Sequence, residues 1–466
     1  MFQINYQKRK KNIILQNDKK KFCYLQLKKN LFKINSLSKN KLFIVLISDN
    51  SYESVELYIS LIQSKHILML IDSKTSSNEI NKLIENFRPN LIFYPKKNKH
   101  IKKLNKKKSN ELIKDYYYNK LYKTSTRNFK KNLKLLLSTS GSMSTKKFVK
   151  LTTKNILSNT KSIIEYLKIN SKDKCIINMP IAYSYMMSII NTHFLKNVTI
   201  YHSEKSIIEK DFWNFFKEKK INSFSGVPLM YKFLLKLKIE KIFKNNLRYM
   251  TLAGGKLDNT SLKKILKFTL KKKINFFNMY GQTEASPRIS YLEPKFSLKK
   301  IGSIGKAIKN SKMWIQNDKG NLIRSPFTEG EIYFNGPGVF HGYCSNLKEL
   351  KNKKILKKNL KTGDLGYFDD EGFFYITGRN SRISKVQGVR INLDELQILM
   401  SQKSYEVACK QINEKIFVFF YKKYKKNNLL KLISKITGLN IINFQLKKLK
   451  NFPLNNSNKI DYKKLF

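Results

Sequence analysis

From about residue 41 to residue 280 the chain alternates short apolar runs with amphipathic stretches, and this rhythm sets the expected fold class. The runs KLFIVLI (41–47), HILMLI (66–71), NLIFY (90–94), LKLLL (133–137), CIINM (175–179), VTIY (198–201), NSFSG (222–226), RYMTL (248–252) and INFFNMY (274–280) read as strands. Helical stretches such as 52–64 and 78–87 separate them. Strands alternating with helices argue for parallel sheets covered by helices. Ligands in such folds bind at the C-terminal ends of the strands. After Glu284 the texture changes to short strands and Gly-rich turns (GSIGKAI, GEIYFNGPGVFHGY, GYFDDEGFFYITGR), which predicts a β-rich subdomain closing over the sheets. Beyond Ser381 the remaining ~85 residues return to mixed α and β, as in a small separate domain. The expectation is an α/β protein with a large N-terminal domain over 1–380. A small, mobile α+β C-terminal domain over 381–466 completes it.

Length and composition narrow the class. A chain of 466 residues, 41% hydrophobic and with 31 Phe, can build a large core. Its longest apolar runs are strand-sized and far short of a membrane span, so no transmembrane segment is expected. The basic N-terminus lacks the apolar stretch and small-residue cleavage site of a signal peptide. Cys23, Cys175, Cys344 and Cys409 are dispersed, with no CxxC pair. They suit a reducing, cytoplasmic setting without disulfides or zinc. The formal charge of +61 points toward nucleic acid, but the lysines are spread over every segment. A nucleic-acid binder clusters Lys and Arg on one face with aromatics between them, so no specific nucleic-acid partner is expected. In so basic a background a single lysine reads as a solvated surface residue.

Against that background, residues 361–395 stand out. Arg occurs nine times in the chain, and Arg379, Arg382 and Arg390 fall in this window. Of 18 Gly, none precedes Gly141, and Gly363, Gly366, Gly372, Gly378 and Gly388 sit here. A chain that writes Lys elsewhere and Arg here needs a planar, bidentate guanidinium. Glycines in such a place permit unusual backbone angles or close approach to a ligand.

Further candidates follow strands. LLLSTSGSMSTKK (135–147) places hydroxyls and one glycine before lysines, a loop able to cradle phosphate oxygens. LAGGKLD (252–258) sets a glycine pair at a strand end. NMYGQTEA (278–285) brings together Tyr280, able to stack on a base, Thr283, able to bond a phosphate, and Glu284, a hard-cation ligand. Asp364 in TGD can accept both hydroxyls of a ribose. PLNNSNKID near the C-terminus carries Lys459 in a short polar loop.

Taken in order, STSGSMSTKK, MYGQTE, TGDLGYFDDEGFFYITGR and PLNNSNKID resemble the motif blocks of the adenylate-forming superfamily. That superfamily comprises acyl- and aryl-CoA synthetases, adenylation domains of nonribosomal peptide synthetases, and luciferases. The resemblance covers essentially the whole chain. Met143, Ser144 and Lys146 depart from the family's phosphate loop, while Lys147 matches its lysine. Asn458 replaces the glycine usual before the C-terminal lysine. PIAYSYMM (180–187) has neither the His and Gly of many acyl-CoA synthetases nor the Asp with which peptide synthetases hold an amino group.

The resemblance implies an enzyme that joins a carboxylic acid to ATP as acyl-AMP, releasing pyrophosphate, and then passes the acyl group to a thiol. It implies that Ser140, Gly141, Ser142 and Lys147 cradle the triphosphate. Glu284 would hold Mg²⁺, Thr283 the α-phosphate, and Gly254, Gly255 and Tyr280 would line the adenine site. Asp364 and Arg379 would take the ribose, and Lys459 would bridge carboxylate and phosphate in the first half-reaction. The C-terminal domain would then turn about a hinge near Ser381, carrying the Lys385–Gly388 loop to the thiol. The thiol is coenzyme A or, alternatively, the phosphopantetheine of an acidic carrier protein. A degenerate, weakly active member is a third reading, motivated by the altered phosphate loop.

Overall fold

Strand Phe43–Ser48 is buried along its whole length and sends alternate residues to opposite sides. Ile44 and Leu46 join one core with Val55, Ile59 and Ile62 of helix Tyr52–Gln63. Phe43, Val45 and Ile47 join another with Ile80, Leu83 and Phe87 of helix Ser77–Phe87. A strand covered on both faces needs apolar residues at both parities, which is why it reads as an unbroken run. In this computed structural model, which describes residues 9–98, 110–122, 129–138, 147–243, 247–352, 359–386, 389–455, 460–462 and 464–465, that strand sits inside an eight-stranded sheet. Its centre is parallel: Phe43–Ser48 pairs with Ile67–Asp72 and Leu91–Pro95, and Ile67–Asp72 with Leu133–Ser138. Both edges are antiparallel, through Tyr116–Lys120 on one side and Phe148–Thr152 on the other.

Two lysines among the described residues, Lys134 and Lys150, are buried and depart from the solvated reading. Lys134, in strand Leu133–Ser138, is 4% exposed, and its ammonium donates to the carbonyls of Leu61, Ser64 and His66 at 2.7–3.0 Å. It thereby satisfies carbonyls left open at and beyond the end of helix Tyr52–Gln63. Burial pushes its pKa well below the usual value.

A second sheet has ten strands. Ser223–Gly226, Tyr249–Leu252 and Asn275–Gly281 run parallel. From Arg288–Leu292 onward the pairings turn antiparallel and continue edge to edge through Ser303–Ala307, Phe374–Arg379, Asn359–Phe368 and Gly330–Asn335. The β-rich segment is therefore hydrogen-bonded to the parallel strands. A four-stranded sheet joins Cys175–Ile177 and Ile200–His202 to the N-terminal Ile13–Gln16 and Lys21–Cys23. After Ile383 come a two-stranded hairpin, a three-stranded sheet and helices Leu393–Gln402 and Lys426–Thr437, around cores of their own. No helix among the described residues is long and apolar enough to cross a membrane.

Candidate active site

Three of the sequence-selected residues meet at Asp364. Strands Asn359–Phe368 and Phe374–Arg379 pair antiparallel, with Asp364 opposite Arg379. Arg379 Nε donates to Asp364 Oδ1 at 3.0 Å, and the Tyr280 hydroxyl donates to Oδ2. Gly363, at φ +77°, makes the turn that presents the carboxylate. Thr362 Oγ1 accepts from Asp364 N at 3.1 Å and donates to Ile332 O at 2.6 Å, tying this turn to the next strand. Asp364 is 5% exposed, whereas the Arg379 side chain is 58% exposed. The carboxylate raises the Arg379 pKa above its usual value, and burial beside it keeps Tyr280 protonated. Each Asp364 oxygen keeps a lone pair, so two further hydroxyl donors can be accepted.

Thr283 and Glu284 follow the end of strand Asn275–Gly281 in a short 3-10 turn. Glu284 O accepts from Phe340 N at 2.9 Å, and its Oε1 accepts from the Tyr343 hydroxyl at 2.8 Å. Tyr343 arrives from across the molecule: strand Tyr343–Cys344 pairs with Phe148–Thr152, immediately after Lys147. Burial pushes the Glu284 carboxyl up, opposed by its bond to Tyr343 and by the charge of Arg379. Among the described residues no group of three or more His, Cys, Asp or Glu could hold a metal. A cation here would thus take Glu284 and complete its shell with phosphate oxygens and water, as Mg²⁺ prefers.

Thr283 Oγ1 donates to Ser184 Oγ at 3.2 Å. Gly254, after strand Tyr249–Leu252, has φ +86°, and a Cβ there would lie 2.1 Å from the Tyr183 hydroxyl. Gly255 packs by Pro228, whose Cγ would be 3.2 Å from an added Cβ. Both glycines follow the end of strand Tyr249–Leu252, which lies between two parallel neighbours, and strand ends of this kind are where such folds bind ligands.

The structure brings Tyr280, Asp364 and Arg379 into contact and sets Glu284 within electrostatic reach of Asp364 and Arg379. Ser140, Gly141, Ser142, Gly388 and Lys459 lie outside the described residues. Of Lys385 only the backbone is described, opposite Arg390 in the hairpin Ile383–Val386/Val389–Asn392. Tyr343, Tyr183 and Ser184 escaped the sequence reading. Tyr183 and Ser184 lie within PIAYSYMM, whose departures marked it as unusual; nothing local marks Tyr343.

Comparison with known proteins agrees with this geometry. The profile of the family described as AMP-binding enzyme matches residues 32–344. The 2-succinylbenzoate–CoA ligase of Oceanobacillus iheyensis is 27% identical over 361 residues, covering 77% of this chain and 73% of the relative. That of Bacillus cereus is 37% identical over 157 residues, covering 34% of this chain and 31% of the relative. Among solved structures, O-succinylbenzoate coenzyme A synthetase from Bacillus subtilis with AMP superposes at TM-score 0.78, with 22% identity, over 100% of this chain and 98% of that one. ATP-bound MatB from Rhodopseudomonas palustris gives TM-score 0.78 at 15% identity, over 97% and 94% of the two chains. These structures share the fold. With four ordered motif blocks and a family profile over two thirds of its length, the chain belongs to the AMP-binding enzymes, the adenylate-forming superfamily.

Proposed function

We propose that this enzyme activates 2-succinylbenzoate, or a close aromatic keto acid, as its acyl-AMP and transfers the acyl group to coenzyme A. The observation that carries the reading is the convergence of Tyr280, Asp364 and Arg379 with Glu284 at the strand ends. The names of the matched relatives support the choice of acid and thiol. The absence of a carboxylate from PIAYSYMM fits an acid without an essential amino group.

In this reading the nucleophile is a carboxylate already ionised at neutral pH, so no general base is needed. Catalysis is positioning and charge neutralisation. Asp364 and Arg379 orient the ribose, while Gly254, Gly255 and Tyr280 border the adenine. Thr283 steadies the α-phosphate, and Ser140, Gly141, Ser142 and Lys147 cradle the outgoing pyrophosphate. Glu284 holds Mg²⁺, which neutralises phosphate charge when bound. Lys459 brings attacking carboxylate and α-phosphate together. The unit 381–466 then turns about Ser381, and the segment of Lys385 and Gly388 meets the thiol, which displaces AMP. A cytoplasmic location belongs to the same reading, supported by four unpaired cysteines.

The test is pyrophosphate release with ATP, Mg²⁺ and a panel of carboxylic acids, followed by thioester formation on CoA and on an acidic carrier protein. CoA is expected to be used efficiently, with a modest effect of salt. If the basic surface instead recruits a carrier, loading falls steeply as ionic strength rises. A carrier strongly preferred at physiological salt overturns the choice of CoA. Amino acids outperforming their deaminated analogues overturn the choice of acid.

A further inference from the structure

Four of the chain's arginines bear on the site or its surroundings, and three of them hold carboxylates: Arg248 bonds Asp173 (2.7 Å), Arg379 bonds Asp364 (3.0 Å) and Arg382 bonds Asp394 (2.9 Å). Arg288 does not. It is 2% exposed, the only buried arginine among the described residues, and no carboxylate there forms an ion pair with it. Its Nε–H has no acceptor. Its guanidinium lies over the Tyr185 ring, 5.1 Å from the centroid, and its charge is felt by the Tyr166 hydroxyl. Arg cannot shed its proton, and a buried charge without a counter-ion is costly. A cation–π contact offsets only part of that cost.

The backbone is fixed around this charge. Asn159 accepts from Arg288 N at 3.2 Å and donates to Arg288 O at 2.8 Å. Arg288 is also the cross-strand partner of Gly281, two residues before Thr283. The guanidinium borders a small cavity shared with Tyr185, Ser188, Thr192, Ser225 and Thr251, with about 10 Å³ of space, room for roughly one water. Tyr183 and Ser184, which touch Gly254 and Thr283, enter the helix Ser184–Leu195 that carries Tyr185, Ser188 and Thr192 along this cavity. One helix therefore links this cavity to Thr283, the residue proposed above to meet the α-phosphate.

We propose that Arg288 anchors a second, non-reacting carboxylate of the acid substrate, making this ligase specific for dicarboxylates. The assignment rests on the acid-activating function proposed above. The fork of the guanidinium matches a carboxylate, and the bound anion supplies the counter-charge the protein withholds. Side chains lining the cavity must move aside to admit it, as the space holds no more than a water in the empty site. A monocarboxylate of the same shape leaves Arg288 unpaired and is rejected, since a site built for a polar group discriminates strongly against its absence.

The experiment compares 2-succinylbenzoate with 4-oxo-4-phenylbutanoate, which lacks the ring carboxylate, in pyrophosphate release by wild type and Arg288→Met. Wild type is expected to favour the dicarboxylate by on the order of 100-fold in kcat/KM. Arg288→Met should abolish that preference by losing activity on the dicarboxylate while retaining or gaining it on the monocarboxylate. Equal losses on both acids would make Arg288 a packing residue and overturn the assignment. The wild-type comparison needs no folded variant: equal use of both acids overturns the assignment while leaving acid activation intact. A wild type that releases no pyrophosphate with any acid overturns the function reading, and this assignment with it.

Discussion

Asp364 and Arg379 face each other as register partners on adjacent antiparallel strands, and the Tyr280 hydroxyl closes on the remaining carboxylate oxygen. The pair is fixed by backbone pairing, so the carboxylate is oriented before any nucleotide arrives. Asp364→Ala is expected to weaken ATP binding by two ribose hydrogen bonds to a charged acceptor, each about 1.5–3 kcal/mol. It also strands Tyr280, which is buried, without its acceptor. Titration calorimetry with ATP measures the loss. Unchanged affinity would reduce the TGD turn to a structural element.

A second pairing predicts a metal phenotype. Burial raises the Glu284 pKa, and the Tyr343 hydroxyl bond opposes that rise. Tyr343→Phe removes the opposing contact, so the carboxylate protonates more readily. Half-maximal Mg²⁺ for acyl-AMP formation is expected to rise, more at pH 6 than at pH 8. Raising pH should restore the variant, since the metal binds the ionised form. A Mg²⁺ requirement unaltered at both pH values would separate Tyr343 from the metal site.

How far the sequence could be read depended on range. Strand Phe43–Ser48 and helix Ser77–Phe87 were legible because burial on both faces, or on one, writes itself into neighbouring positions. Asp364 and Arg379 were legible because the chain departs there from its own habits of composition. Strand Ile13–Gln16 was missed: its stability comes from parallel pairing with Ile200–His202, far along the chain. Tyr343 met Glu284 only through the pairing of its short strand with Phe148–Thr152. Lys134 was hidden among lysines, since nothing in LKLLL foretells the carbonyls of a helix end packed beneath it.

Two of the three buried histidines among the described residues, His66 and His193, predict acid sensitivity. His66 and His193 are 1% and 2% exposed, and desolvation lowers each pKa from 6.5 to about 4. His66 Nδ1 accepts from Leu42 N at 3.0 Å, a bond that protonation breaks, and His193 Nε2 faces the Tyr249 hydroxyl at 2.9 Å, which protonation forces to turn from donor to acceptor. Between pH 6.5 and 4 the unfolded chain takes up these protons and the folded one does not. Stability is therefore complete above pH 6.5 and lost as pH falls toward 4, by roughly 3 kcal/mol per histidine. Urea unfolding across this range should show a smaller slope for His66→Gln and His193→Gln than for wild type. Parallel slopes would assign acid sensitivity to general charge repulsion.

Arg382, beside the expected hinge at Ser381, reaches the C-terminal tail. Its Nε bonds Asp394 (2.9 Å) and an Nη bonds Gln397 (2.9 Å), while its guanidinium stacks on Tyr462 at 3.9 Å from the ring centroid. Gln397 in turn donates to the Tyr462 hydroxyl at 2.9 Å. Tyr462 follows the bridge between Leu454 and Ile460 that flanks the segment carrying Lys459. Arg382 thus holds Tyr462, and in the mechanism proposed above it would act as a positioning residue for Lys459. Arg382→Met should lower kcat of acyl-AMP formation on the order of 10-fold by loosening Lys459, with little change in KM for ATP. Thioester formation from supplied acyl-AMP does not use that lysine and should fall much less. Arg382→Lys keeps the charge opposite Asp394 but loses the fork, so it should rescue only in part. Equal loss in both half-reactions would mean that Arg382 merely holds the C-terminal unit together.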